Sequence, residues 1–281
     1  MNRVHIRDIA VGGGAPLCLI AGPCVIESRD LVLRTADRIA DIARRLGMPA
    51  VFKSSFEKAN RTSLDAFTGL GRDEALRLLE EAGRASGLPL LTDVHTVEDV
   101  AAAAAVVDVL QIPAFLSRQT ELLLAAGSSG KAVNIKKGQF MAPDDMRHAA
   151  DKVASTGNGN ILLCERGSSF GYHDLIVDMR GLVMMRGLGH PVVMDATHAV
   201  QIPSRGGQSG GRREFILPLA RAAAAVGIDA LFLETHPDPA HALSDAGSQL
   251  PLDELEAVLR QVMAVDAAIV SLGGKGNDHV L

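Results

Sequence analysis

Short apolar runs rich in β-branched residues alternate along the chain with longer stretches in which apolar residues recur every three or four positions. Eight of the short runs read as strands, over 17–21, 50–53, 90–93, 109–112, 132–135, 161–164, 192–194 and 230–233. Each is continuously apolar rather than alternating, the pattern of parallel strands covered on both faces. Stretches such as 31–46, 73–86 and 214–226 carry helical spacing. Eight β/α repeats of about 20 to 40 residues predict a closed (β/α)8 TIM barrel rather than an open doubly wound sheet. Segment 4–10 stands outside this count and predicts a short strand or hairpin over the barrel's N-terminal end. No Pro- or Ser-rich linker divides the chain, so 1–281 reads as a single catalytic domain. The GGQSGGRR run at 206–213 is too glycine-rich for a helix. It reads as a mobile loop after the seventh strand, with 206–211 either a lid or an ordinary connection.

Every strand run gives way to polar residues. The first run leads into Gly22-Pro23-Cys24 and Glu27, and the second ends at Lys53 and continues into Ser55, Glu57, Lys58, Asn60, Arg61 and Thr62. The third ends in Asp93 and His95, the fourth contains Gln111, and the fifth leads into Lys136, Lys137 and Gln139. Glu165 and Arg166 follow the sixth, Asp195 and His198 the seventh, and Glu234 and His236 the eighth. In a barrel of this kind that end of the strands carries the chemistry. A single charged residue there is an ordinary solvated loop residue, but polar clusters after all eight runs point to a site.

Composition narrows the ligand. With 47% hydrophobic and 22% charged residues the chain can build a large core, which the eight Phe, single Tyr and absent Trp require to be aliphatic. A net charge of −5 leaves no basic footprint for nucleic acid, so any anion site must be a local concentration of Lys and Arg. The longest apolar stretches, at 100–107 and 222–228, fall well short of the roughly 20 residues of a membrane span. The N-terminus lacks the apolar core of a secretory signal. Three cysteines without a CxxC spacing suit a reduced, cytoplasmic setting.

Two chemistries separate within the ring of strand ends. Lys53, Lys58, Arg61, Lys136 and Arg166 are suited to phosphate or carboxylate, the alternative being structural ion pairs with Glu57, Asp93 or Glu165. Because closure sets the eighth strand beside the first and the seventh, Cys24, His198, Glu234 and Asp245 can converge. A thiolate, an imidazole and two carboxylates suit zinc, ferrous iron or manganese. Cys18 and Cys164, inside their strands, read as small buried hydrophobes. The two prolines of His236-Pro237-Asp238-Pro239 predict a turn shaping the site.

The segments Ala21-Gly22-Pro23-Cys24-Val25-Ile26-Glu27-Ser28, Phe52-Lys53-Ser54-Ser55-Phe56-Glu57-Lys58-Ala59-Asn60-Arg61-Thr62-Ser63 and Thr92-Asp93-Val94-His95 resemble the 3-deoxy-D-manno-octulosonate 8-phosphate synthase family. So do Gln111-Ile112-Pro113-Ala114-Phe115-Leu116, Asn134-Ile135-Lys136-Lys137-Gly138-Gln139-Phe140, Asp195-Ala196-Thr197-His198 and Gly210-Gly211-Arg212-Arg213. The discriminating run is Lys58-Ala59-Asn60-Arg61. The related 3-deoxy-arabino-heptulosonate 7-phosphate synthases share the Ala-Gly-Pro-Cys opening but carry a Lys-Pro-Arg-Thr type of motif there.

The resemblance implies condensation of phosphoenolpyruvate with arabinose 5-phosphate, releasing phosphate. It implies that Lys136 and Arg166 hold the phosphoenolpyruvate phosphate, that Lys53, Ser55 and Lys58 line its carboxylate, and that Asn60, Arg61 and Thr62 engage the sugar phosphate. Asp93, Gln111 and Gln139 would line the substrate cavity, and His95 and His198 would lie near the reacting atoms, so that His95, His198, Asp93 and Lys53 form the catalytic group. Family members divide into metal-dependent chains with Cys and metal-independent chains with Asn at the position of Cys24. Cys24, with His198, Glu234 and Asp245, implies the metal-dependent class and one divalent ion per subunit. The resemblance also implies a homotetramer with Arg61 near a subunit boundary, and a product destined for lipopolysaccharide. Competing readings are the heptulosonate synthase acting on erythrose 4-phosphate, a class II metal-dependent aldolase, and a non-catalytic sugar-phosphate sensor.

Overall fold

In the computed structural model, residues 2–60, 66–202 and 210–273 are described. A hairpin of β1 (Val4–Ile6) and β2 (Ile9–Val11) comes first. The barrel strands are β3 (Cys18–Gly22), β4 (Ala50–Lys53), β5 (Leu90–Asp93), β6 (Val109–Ile112), β7 (Ala132–Lys136), β8 (Ile161–Glu165), β11 (Val192–Asp195) and β14 (Ala230–His236). Two small antiparallel pairs, β9 (Ser168–Ser169) with β10 (Leu175–Ile176) and β12 (Gln201–Ile202) with β13 (Gly210–Gly211), decorate the C-terminal mouth. Every barrel pairing is parallel, and β14 bonds to both β3 and β11, which closes the ring. A last short strand, β15 (Leu250–Pro251), adds to the far end of β14.

The helices α1 (Arg29–Leu46), α2 (Arg72–Ser86), α3 (Val97–Ala104), α4 (Thr120–Ser128), α5 (Met146–Ala154), α6 (Met179–Gly187), α7 (Ile216–Val226) and α8 (Leu255–Ser271) surround the ring. Their ends are specified locally. The Ser28 hydroxyl accepts from the Leu31 amide at the start of α1, and Thr96 and Asp99 form a reciprocal capping box on α3. The stretch predicted as helix over 214–226 opens as a 3-10 turn, Arg213–Phe215, and becomes α-helical at Ile216. That start places Pro218, which has no N–H to donate, in the first turn of α7.

The continuous apolar character of the strands comes from two cores separated by the period of two. Leu19, Phe52, Leu110, Ile135, Leu163, Met194 and Leu231 face outward into the layer under the helices. Ile20, Val51, Leu91, Val109, Ala132, Leu162, Val193 and Phe232 fill the lumen, with Val4, Ile6 and Val11 of the hairpin packed against them. The hairpin expected at 4–10 therefore does cap the N-terminal end. Two positions beyond six of these lumen residues the same face turns polar: Lys53 follows Val51, Asp93 follows Leu91, Gln111 follows Val109, Asn134 follows Ala132, Asp195 follows Val193, and Glu234 follows Phe232. The barrel is thus apolar below and charged at its C-terminal mouth.

Five strands run further than their apolar runs predicted, taking in Gly22, Lys136, Glu165, Asp195 and Glu234 to His236. Polar residues continue the ladder there because their side chains find buried partners, and the end of β14 also gains β15 as a neighbour. The hairpin β9–β10 was not anticipated. Of the glycine-rich run, 206–209 lies outside the described residues, and Gly210–Gly211 pairs with Gln201–Ile202. No described helix is long and apolar enough to cross a membrane.

Candidate active site

Four cations line the mouth, Lys53, Lys136 and Arg166 buried and Lys58 half-buried. Lys53 forms an ion pair with Glu234 and donates to the Cys24 carbonyl at 3.0 Å. Lys136 pairs with Asp195, lies 3.3 Å from His198 Nδ1 and sits 4.0 Å above the centre of the Phe232 ring. Lys58 donates to Ser55 Oγ at 2.9 Å. Arg166 donates through Nη2 to Gln201 Oε1 at 3.0 Å, while its buried Nε and Nη1 have no partner among the described residues. The buried Gln139 Oε1 has none either. Buried donors and acceptors are almost always satisfied, so this group of orphans marks where a polar ligand fits.

For Lys53 and Lys136 the ion-pair partner is not Glu57, Asp93 or Glu165, the alternative raised by the sequence. Glu234 and Asp195, reached across the closed ring, take Lys53 and Lys136 instead. Burial pushes both carboxyls up, yet Lys53 and His198 beside Glu234, and His198 and Lys136 beside Asp195, hold them below the usual carboxylate range. Asp93 behaves alike: burial raises it, and Lys58 and its hydrogen bond with His95 bring it well below its ordinary value. The Asp93 Oδ2 to His95 Nε2 distance is 3.2 Å, and the His95 ring meets Phe56 edge-on. Burial lowers the Lys58 ammonium, but Cys24, Glu234, Asp93 and Asp245 together raise it above normal. Lys58 therefore remains charged at neutral pH. Beside them Asn134 donates to Gln111 Oε1 at 2.9 Å.

A second cluster adjoins the first through Glu234. Ligand atoms of Cys24, Glu234 and Asp245 lie within 4.8 Å of one another. Cys24 Sγ is 3.0 Å from Ser244 Oγ and 3.4 Å from Asp245 Oδ2. His198 stands at the edge, with Nε2 3.6 Å from Glu234 Oε1 and 3.9 Å from Asp245 Oδ2. Its Nδ1, 2.7 Å from Asp195 Oδ2, is held on the opposite side, which leaves Nε2 facing the carboxylates. Burial, with Asp245 and Glu234 nearby, raises the Cys24 thiol well above its ordinary value. Glu234 Oε2 is buried without a hydrogen-bond partner among the described residues. A thiol, an imidazole and two carboxylates so disposed, one with an orphaned oxygen, fit a divalent cation, whose charge would reverse the bias against the thiolate. Cys18 and Cys164 are buried thiols away from this cluster, and burial pushes Cys18 up to about 12.

The expected residues Cys24, Lys53, Ser55, Lys58, Asp93, His95, Gln111, Lys136, Gln139, Arg166, His198, Glu234 and Asp245 are thus placed at or beside one mouth. Asn60 is exposed at its rim, and Arg61 and Thr62 lie outside the described residues. Four contributors were missed. Asp195 takes the His198 amide and ring; its place in Asp-Ala-Thr-His, two positions past lumen-facing Val193, was a usable signal. Asn134 is given by the same parity. Ser244 and Gln249 had no such signal. Gln249 accepts from the Cys24 amide at 3.1 Å and donates to the Ser244 carbonyl at 2.8 Å, which joins segments more than 200 residues apart. His236, at the expected turn, remains in β14 with Nε2 3.6 Å from Glu27.

A closed parallel barrel with buried cations and a thiol–carboxylate cluster at its C-terminal mouth defines the class: a TIM barrel built around an anionic ligand. Residues 2–271 match the model of the DAHP synthetase I family. The chain is 56% identical to a 2-dehydro-3-deoxyphosphooctonate aldolase of Trichlorobacter lovleyi over 269 residues, 95% of this chain and 99% of that one. It is 55% identical over 277 residues to the protein of that name in Syntrophotalea carbinolica, 98% of each chain. It is 54% identical over 271 residues to the one in a Cyanothece species, 96% of this chain and 99% of the relative. The chain belongs to the DAHP synthetase I family, and within it to the 2-dehydro-3-deoxyphosphooctonate aldolases, the 3-deoxy-D-manno-octulosonate 8-phosphate synthases of the motif resemblance.

Proposed function

We propose that this chain is one catalytic domain that condenses phosphoenolpyruvate with D-arabinose 5-phosphate and water. The products are 3-deoxy-D-manno-octulosonate 8-phosphate, for lipopolysaccharide biosynthesis, and inorganic phosphate. The observation that carries the reading is the convergence of Lys53, Lys58, Lys136 and Arg166 on one mouth where Arg166 Nε, Arg166 Nη1 and Gln139 Oε1 have no partners among the described residues.

Two phosphorylated substrates repel each other, and buried cations offset that repulsion in a low-dielectric site. Lys136, Gln139 and Arg166 take the phosphoenolpyruvate phosphate, Lys53, Ser55 and Lys58 its carboxylate, and Asn60, Arg61 and Thr62 the sugar phosphate. Gln111 lines the cavity between them. C3 of phosphoenolpyruvate then attacks the aldehyde carbon, whose oxygen takes up a proton. The cation left at C2 is captured by water, which gives up a proton, and the hemiketal loses phosphate by C–O cleavage. His95, hydrogen-bonded to Asp93, holds a proton that moves, and His198, fixed by Asp195, stands beside the reacting atoms, with Lys53 beside the carboxylate.

Cys24, His198, Glu234 and Asp245 would hold one divalent cation of the zinc, iron or manganese type, which supplies Lewis-acid polarisation of an oxygen when bound. The same reading makes the protein cytoplasmic, with its cysteines as thiols, and a homotetramer that covers the exposed Phe115, Phe140, Phe170 and Tyr172. Phosphate release from phosphoenolpyruvate with arabinose 5-phosphate tests the function. Faster turnover with erythrose 4-phosphate, or none with either sugar, would overturn it.

A further inference from the structure

The two lysines at the end of β7 do different work. Lys136 lies in register with the lumen-facing Ala132 and Asn134, whereas Lys137, one position on, turns to the other face and is fully buried. Its Nζ donates to Ser168 Oγ at 2.9 Å and lies 3.4 Å from Glu165 Oε1 and from the carbonyls of Gly138, Met141 and Gly167. Glu165 Oε1 also accepts the Arg166 amide at 2.8 Å and the Gly167 amide at 2.6 Å. The oxygens around this ammonium therefore come from two loops. One follows β7 and carries Gln139; the other follows β8 and carries Arg166. A further bond, Ser169 N–H to the Gln139 carbonyl at 2.9 Å, joins the same two loops.

An ammonium at zero exposure costs several kcal/mol of desolvation, which an apolar side chain of the same length avoids. Its placement here has a geometric consequence. Arg166 Nε and Nη1 and Gln139 Oε1, without partners among the described residues, lie on the loops that Lys137 ties together. We propose that Lys137 is a positioning residue, whose buried ammonium locks the β7 and β8 loops so that Lys136, Gln139 and Arg166 address one phosphoryl group. The inference rests on the phosphoenolpyruvate reading for the identity of that group, and on the contacts alone for the lock.

The test compares wild type with Lys137→Met and with Ser168→Ala, which removes a single 2.9 Å contact of the ammonium. KM for phosphoenolpyruvate rises in both, about tenfold or more in Lys137→Met and several-fold in Ser168→Ala, while KM for arabinose 5-phosphate stays within about twofold. Calorimetric binding of inorganic phosphate weakens by the same factors. Should Lys137→Met fail to fold, Ser168→Ala decides alone. Unchanged constants, equal rises in both KM values, or a loss of kcat alone would overturn the lock. If wild-type protein binds phosphate but does not turn over, the reaction assignment fails and the phosphate-binding comparison still judges Lys137.

Discussion

Lys53 on β4 reaches past β3 to pair with Glu234 on β14, and both side chains are all but fully buried. This pair joins the two halves of the site, because Lys53 also donates to the Cys24 carbonyl and a Glu234 oxygen belongs to the thiol–carboxylate cluster. Removing one partner leaves a buried, uncompensated charge. Glu234→Gln and Lys53→Met should each destabilise the fold by about 3 kcal/mol or more, read from denaturant midpoints. A loss under about 1 kcal/mol would mean that water reaches the pair.

The thiol–carboxylate cluster predicts its own metal dependence. Exhaustive chelation should abolish phosphate release and lower the thermal midpoint, since an ion bound only to the folded state stabilises it. Cys24→Ala should bind less metal by elemental analysis and lose activity with it. Full activity after chelation would remove the metal from the proposed function.

Arg166 presents its partnerless Nε and Nη1 as a planar fork, a shape that lysine cannot reproduce. Arg166→Lys should keep the charge yet raise KM for phosphoenolpyruvate by about tenfold or more, the worth of one charge-assisted hydrogen bond. Steady-state kinetics at fixed arabinose 5-phosphate give the number. An unchanged KM would place the phosphate elsewhere.

The Asp93–His95 pair predicts a pH dependence of stability with a defined sign. Burial lowers the His95 imidazole, but its hydrogen bond with Asp93 and that carboxylate's charge prevail and raise it. A raised folded value means that the His95 contribution is complete below the ordinary imidazole value of about 6.5 and disappears as pH rises through the folded one. Asp93, depressed, contributes above the ordinary carboxylate value and loses that contribution as pH falls toward its lowered one. Wild type should therefore lose stability relative to His95→Gln as pH rises above the ordinary imidazole value. Unfolding free energies of both proteins across that range test it, and parallel curves would contradict it.

Much of this molecule was legible before its coordinates. Continuous apolar runs can only be strands covered on both faces, and eight of them with helices between close into a ring. The strand ends came with them, so Lys53, Asp93, Lys136, Arg166, His198 and Glu234 could be named from position alone, and Lys58-Ala59-Asn60-Arg61 narrowed the family. Three kinds of feature depended on the tertiary structure. Ion-pair partners were misjudged because the nearest carboxylate in sequence is not the nearest across a closed sheet: Lys53 finds Glu234, 181 positions away, and Lys136 finds Asp195, 59 away. Ser244 and Gln249 reach Cys24 only because β14 lies beside β3 and brings its following loop over the first strand's end. Lys136 and Lys137 look identical in sequence, and strand parity alone sends one into the lumen and the other between two loops. Periodicity records which faces are covered, whereas register and ring closure decide which distant charges meet.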